Sequence, residues 1–186
     1  MAQALDEALS RLVDEENRLV KLFDPPYRHD ERYPGYLAGY GRGFRENGGQ
    51  YTHAALWLVQ GLLARDRAED AWRLLQLLIP EGRDLRRYEA EPFVLPADVS
   101  AAAGREGEAG WTWYTGSAGW FYRIVTRELL GLRLREGRLH VEPRLPAALP
   151  GYEAEWTDPA GERHRIRVRP GEIRLDGKSQ NGEGSE

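Results

Sequence analysis

No cysteine occurs in this chain, which excludes disulfide frameworks and thiolate metal sites. No apolar run is long enough to cross a bilayer as a helix. Neither sign of charge dominates. The 26 basic and 30 acidic residues are spread along the chain and give a formal net charge of −4. That balance offers no footprint for nucleic acid or an anionic membrane, so neither is expected as a partner. The start, Met1-Ala2-Gln3-Ala4-Leu5-Asp6-Glu7, lacks the basic and apolar stretches of a secretory leader, and the cytoplasm is the expected location. Two residue types are overused: 21 glycines and 6 tryptophans among 186 residues supply tight loops and large flat side chains. The length suits one domain, or one domain with a small appendage.

Along the chain, apolar residues at helical spacing predict a first helix over residues 4–23, stopped by Asp24-Pro25-Pro26. Residues 27–50 read as a long irregular segment. A central helix from about Thr52 to Ala64 and a second from about Arg67 to Leu78 follow, joined closely enough to form an antiparallel pair. Residues 81–116 read as a second long loop, leading to a third core helix that ends near Leu130. After Gly131 the period changes to alternation. Leu132 and Leu134 face Leu139 and Val141 across Glu136-Gly137; Tyr152, Ala154 and Trp156 face Ile166 and Val168; Ile173 and Leu175 make a last short strand. The expected layout is mainly α over 1–130, a small antiparallel β-sheet domain over 131–177, and a disordered polar tail over 178–186.

One pattern recurs in the helical part. Twice a loop rich in glycine and aromatic residues delivers polar groups to the start of an apolar helix, at 45–53 and at 110–120. Side by side, those helices would open both loops onto one pocket. His53, the Thr115 hydroxyl and the free N–H groups around Gly116 suit an oxyanion such as phosphate. A satisfied core histidine, with a helix cap at Thr115 or Ser117, stands as the alternative. Trp111, Trp113, Tyr114 and Trp120 suit sugar faces, with a plain aromatic core as the alternative. Arg45 and Glu46 suit hydroxyl groups, against a surface ion pair. His29, His53, His140 and His164 show no metal-ligand spacing with one another or with nearby carboxylates, so no metal is expected. No nucleotide-binding glycine pattern or nucleophile elbow is present.

The run Glu46-Asn47-Gly48-Gly49-Gln50-Tyr51-Thr52-His53-Ala54-Ala55, the Glu91-Pro92 element and Gly110-Trp111-Thr112-Trp113-Tyr114-Thr115-Gly116-Ser117-Ala118-Gly119-Trp120 resemble glycoside hydrolase family 94. That family comprises glycoside phosphorylases and the C-terminal part of cyclic β-1,2-glucan synthases. The resemblance runs over residues 20–170, and Gly-Gly-Gln-Tyr-Thr-His-Ala is most similar to the β-1,2-glucan members. It implies part of an (α/α)6 toroid of helical hairpins followed by a β-sheet domain. It also implies inverting cleavage of β-glucosides with inorganic phosphate as co-substrate and no cofactor. By resemblance His53, Thr115 and Gly116 bind phosphate, and Arg45 and Glu46 contact the acceptor sugar. Gln50, Tyr51, Trp111, Trp113 and Tyr114 form pocket walls or stacking surfaces. The family's general-acid motif, similar to Trp-Asn-Asp-Gly, does not occur in this chain. The expected partners are therefore a β-glucan oligosaccharide and phosphate, with a complementary N-terminal chain or a second copy. A non-catalytic sugar- or phosphate-binding remnant is the other reading.

Overall fold

Helix α1 (Ala2–Leu12) starts the chain in a computed structural model that describes residues 2–28, 35–113, 115–176 and 178–179. The expected continuation of this helix to residue 23 is not observed. The chain instead turns back as a ribbon of β1 (Val13–Asp14) and β2 (Leu19–Val20). The cause is local. Asp14 accepts hydrogen bonds from both the Asn17 backbone and its side-chain amide, each at 3.0 Å, giving the backbone a turn that competes with the helix. Leu19 and Val20, which share the helical apolar spacing, are buried as strand residues.

A 3-10 turn (Gly35–Gly39) precedes the short strand β3 (Gln50–Tyr51), which leads directly into α2 (Thr52–Leu63). Leu56, Val59, Leu62 and Leu63 are wholly buried on α2. Each such side chain contributes about 1.5–3 kcal/mol relative to exposure. Helix α3 (Ala68–Leu78) packs back on α2 as the predicted hairpin, placing Ala71, Leu74, Leu75 and Leu78 in the same core. The second long loop is less irregular than its sequence suggests. It contains a one-turn helix α4 (Leu85–Tyr88) and two short strands, β4 (Asp98–Val99) and β5 (Ala109–Gly110). These pair with β3 in a three-stranded antiparallel sheet of order β3-β4-β5.

Helix α5 (Thr115–Arg123) lies against α2 and runs into a π-helical turn (Ile124–Leu129). Widening of the last turn shows in the bond from the Leu130 N–H to the Val125 carbonyl, at 2.9 Å. Gly131, at the expected change of period, has φ of 74°, and a Cβ there would lie 2.1 Å from the Glu142 carbonyl. Only glycine fits that crossing.

The β part begins with a hairpin of β6 (Leu132–Arg135) and β7 (Arg138–Val141), in which Leu132 faces Val141 and Leu134 faces Leu139. Strands β8 (Tyr152–Thr157), β9 (Arg163–Arg169), β10 (Glu172–Leu175) and β11 (Lys178–Ser179) form a second antiparallel sheet in the order β11-β10-β9-β8. Tyr152 pairs with Val168 and Ala154 with Ile166, as their alternation predicts. Lys178 and Ser179, expected in a disordered tail, pair with β10; the rest of that tail lies outside the described residues. Val141, Ile166 and Val168 form a core distinct from the helical one. The chain is thus a mainly α-helical domain with a separate antiparallel β-sheet region. No helix among the described residues is long and apolar enough to cross a membrane.

Candidate anion and sugar site

The three-stranded sheet brings the two loops together. Tyr51 pairs with Asp98 and Asp98 with Gly110, so the entrances to α2 and α5 are held side by side. Gly110 is required by close approach: a Cβ there would lie 2.7 Å from Asp98 Oδ2. At the other end of this junction a Cβ on Gly116 would lie 3.8 Å from His53 Nδ1. His53 and the first turn of α5 are therefore neighbours.

The His53 ring completes a triangle with two indoles, its centroid 5.0 Å from Trp57 and 5.6 Å from Trp120, which are themselves 6.0 Å apart. Its Nε2 is buried and has no hydrogen-bond partner. Buried polar atoms are nearly always paired, so this ring nitrogen has a hydrogen bond to offer a ligand or a water. Thr115 and Gly116 are exposed at the helix start beside it. The first turn of a helix carries free N–H groups and a partial positive charge, which favour an anion.

The second cluster surrounds Arg45. Its Nε lies 3.9 Å from Glu46 and 4.0 Å from Asp98, beyond hydrogen-bond reach of either. Arg45 Nε, Glu46 Oε2 and Asp98 Oδ1 are all buried without a hydrogen-bond partner. The guanidinium lies 4.2 Å from the Trp111 ring centroid and 5.6 Å from that of Tyr40, so two aromatic rings fix it. Burial raises the Asp98 carboxyl above the ordinary range; Arg45 opposes the shift and Glu46 adds to it. Three charged groups with unused hydrogen-bonding atoms suit a polyhydroxylated ligand, which both donates and accepts.

Trp111 and Trp113 have φ of 49° and 66°, a left-handed conformation unusual for bulky side chains. Such strain concentrates at functional positions. Trp113 donates from its indole to Glu91 at 3.0 Å and meets the Phe93 ring edge-on, with centroids 6.1 Å apart. The Thr112 hydroxyl, the backbone of Glu91 and the Trp113 indole hold the Glu91 carboxyl below its ordinary range.

Of the residues expected at a site, the structure joins His53 to Gly116 and Arg45 to Glu46 and Trp111. Tyr51 is half-buried in β3, whereas Gln50 is wholly buried inside the fold. The Gln50 amide accepts from the Val20 N–H at 2.9 Å and donates to Thr52 Oγ1 at 3.1 Å, bracing the loop from behind. Tyr114 lies outside the described residues. Asp98 and Tyr40, as neighbours of Arg45, were not anticipated. Two-residue strands leave no period to find Asp98, and Tyr40 lies in an irregular segment without a motif to single it out.

One histidine does meet carboxylates in space. At the tip of the β8–β9 hairpin the ligand atoms of Asp158, Glu162 and His164 lie within 4.8 Å of one another. The turn folds Asp158 back beside β9, which linear spacing does not show. The group is held by its own bonds: His164 Nδ1 lies 2.8 Å from Asp176 and the Glu162 N–H donates to Asp158 at 2.8 Å. A concavity of about 850 Å³ also lies on this sheet. Its walls are occupied by cross-strand pairs such as Arg167–Glu153 at 2.8 Å, so it offers little unused hydrogen-bonding capacity.

Comparison with known proteins decides the family. The model of the glycosyl hydrolase 94 superfamily, catalytic domain, matches residues 2–131. The chain belongs to this family. Family 94 relatives include the cyclic β-(1,2)-glucan synthase NdvB of Rhizobium meliloti, 46% identical over 171 residues, or 89% of this chain and 6% of that protein. An N,N'-diacetylchitobiose phosphorylase of Vibrio furnissii is 32% identical over 131 residues, 66% of this chain and 16% of the relative. A solabiose phosphorylase of Paenibacillus borealis is 27% identical over 125 residues, again 66% and 16%. The chain therefore spans only a small part of the length of these relatives.

Proposed function

We propose that this chain supplies the phosphate and acceptor-sugar half of an inverting family 94 phosphorylase or glycosyltransferase site acting on β-linked glucans of the β-1,2 type. The observation that carries this reading is the His53 ring, whose Nδ1 would lie 3.8 Å from a Cβ on Gly116 in the open first turn of α5 and whose buried Nε2 has no hydrogen-bond partner. In the proposed geometry phosphate sits on His53, the Thr115 hydroxyl and the Gly116 N–H. Arg45 and Glu46 hold hydroxyls of the acceptor ring, with Trp111 as a wall. Family membership and the stronger likeness to a cyclic β-(1,2)-glucan synthase support the substrate class. In the same reading residues 1–130 are part of an (α/α)6 toroid and 131–177 are its β-sheet appendage.

Chemically, an inverting hydrolase needs one carboxylic acid to protonate the leaving oxygen and a second to activate water. Phosphate arrives already anionic, so an oxyanion cradle replaces the second group. The bond from the anomeric carbon to the glycosidic oxygen breaks as a phosphate oxygen attacks from the opposite face, giving an α-glycosyl phosphate. The proton for the departing oxygen comes from an acid that this half does not hold. Asp98 is not that acid, because it is buried against Arg45 and packed under Gly110.

The test uses the NdvB catalytic domain with the region matched by this chain deleted. Neither this deletion protein nor the chain should by itself release glucose 1-phosphate from β-1,2-glucan and phosphate. Their mixture should, and His53→Ala in the chain should lower kcat/KM for phosphate by about 10²–10³-fold, the usual loss on removing one oxyanion donor. Turnover by the chain alone, no turnover by the mixture, or a mixture indifferent to His53→Ala would each overturn the proposal.

A further inference from the structure

Helix α5 carries apolar surface on two sides, and only one is covered. Trp120 and Ile124 pack toward α2 in the helical core. Beyond that face α5 contributes Ala118, Tyr122 and the outer part of Phe121, which also packs on the helical core, to a groove of about 420 Å³, closed on the far side by Phe93, Leu95 and Trp113. Three of the aromatic rings there stand well out in solvent: Phe93 is 73% exposed, Tyr122 72% and Trp113 65%. A helix with apolar groups on both sides belongs in an interior, and contiguous exposed aromatics mark an interaction surface. Intrinsic propensity does not explain the helix either. Its nine residues include Gly116 and Gly119, and Ser117 is its only fully buried residue. Glycine costs a helix about 1 kcal/mol relative to alanine, so packing must hold this one.

Resting on the proposed function, we propose that this groove is the seam against which the remainder of the family 94 catalytic domain packs, through an apolar helix face. The length of the relatives points to that occupant: the chain accounts for 6% of the synthase and 16% of two phosphorylases, so their chains continue far beyond the matched part. Position points the same way. Thr115 lines this groove and also opens the helix beside His53, so a body seated in the groove reaches the edge of the proposed phosphate site. Phe93 and Trp113 belong to the loops that carry Glu91 and the strained aromatics, so the occupant would also fix those loops.

The experiment measures capture of the chain by the immobilised NdvB deletion protein, using interferometry, and by co-purification after co-expression. Wild type should be captured. The double variant Phe93→Glu/Tyr122→Glu should bind more than about 100-fold more weakly, as expected when two central aromatic anchors are lost. Both side chains are mostly in solvent, so the variant should retain the wild-type circular dichroism. Glu155→Lys on the outer sheet face should bind as wild type does. Failure of wild type to be captured in either format, or capture unchanged in the double variant, would overturn the seam. So would a concentration-dependent dimer in sedimentation that the double variant abolishes, because it would assign the groove to a second copy. Seam-dependent capture without phosphorolysis would sink only the proposed function. Phosphorolysis by a mixture insensitive to Phe93 and Tyr122 would sink only the seam.

Discussion

Replacing Asn47 by alanine should loosen the first loop more than any nearby charge would suggest. The Asn47 side chain is a hub between segments far apart in sequence. Its Oδ1 accepts from the Tyr27 N–H at 2.8 Å, and its Nδ2 donates to the Tyr27 carbonyl at 3.3 Å and the Tyr40 carbonyl at 3.0 Å. The residue is 2% exposed, so water cannot readily take over those partners. At about 1 kcal/mol for each bond lost, the expected cost is about 3 kcal/mol. For a chain of this size that lowers Tm by about 6–12 °C. Asn47→Asp keeps the acceptor for Tyr27 but sets a carboxylate oxygen against two carbonyls, and should be at least as damaging. Thermal unfolding followed by circular dichroism measures both variants. A Tm for Asn47→Ala within about 2 °C of wild type would refute the hub. The consequence reaches the site, since the Tyr40 ring whose backbone Asn47 holds flanks the Arg45 guanidinium.

Two further predictions concern pH. Burial raises the folded-state pKa of Asp98, so its ionisation above that value costs stability. The Tm difference between Asp98→Asn and wild type should therefore move in favour of the variant as pH rises from 4 to 8; a difference moving the other way would contradict the burial argument. His164 behaves oppositely to a depressed carboxylate. Asp176, then Asp158, raise its pKa, so its stabilisation is fully present below its unfolded value of about 6.5 and is lost as pH climbs through the folded one. Amide exchange in β9 and β10 should quicken between pH 6 and 8 after correction for intrinsic rates, and His164→Gln should remove that dependence.

Much of the framework was legible because long periodic segments dominate it. α2 and α3 each carry several apolar residues at helical spacing, and their bounds fall within a residue or two of those expected. The β8–β9 register follows from alternation of Tyr152, Ala154 and Trp156 against Ile166 and Val168. Where the reading failed, a single polar contact outweighed the pattern. Asp14 and Asn17 close a turn that ends α1 at Leu12, although Leu19 and Val20 continue the helical apolar spacing. The residues His53, Thr115 and Gly116 could be named from the two loop motifs and the family resemblance. That Asp98 stands between Tyr51 and Gly110 could not, because the pairing joins positions remote in sequence through strands too short to have a period. Gln50 shows the reverse limitation. It occurs within the motif, yet its buried amide binds Val20 and Thr52.

The sheet β3-β4-β5 also sets a rule for how such proteins can diverge or be recombined. Because Asp98 stands in register with Tyr51 on one side and Gly110 on the other, while Ala97 beside it accepts from Thr52 and donates to Trp111, neither loop is an independent cassette. A chimera that imports the segment before α5 from a phosphorylase, while keeping the native segment before α2, would mismatch at the strand between them. The transplantable unit is the trio of segments around residues 43–52, 97–102 and 107–116. Divergence across such relatives would then arise as linked substitutions in all three, rather than as drift in any one.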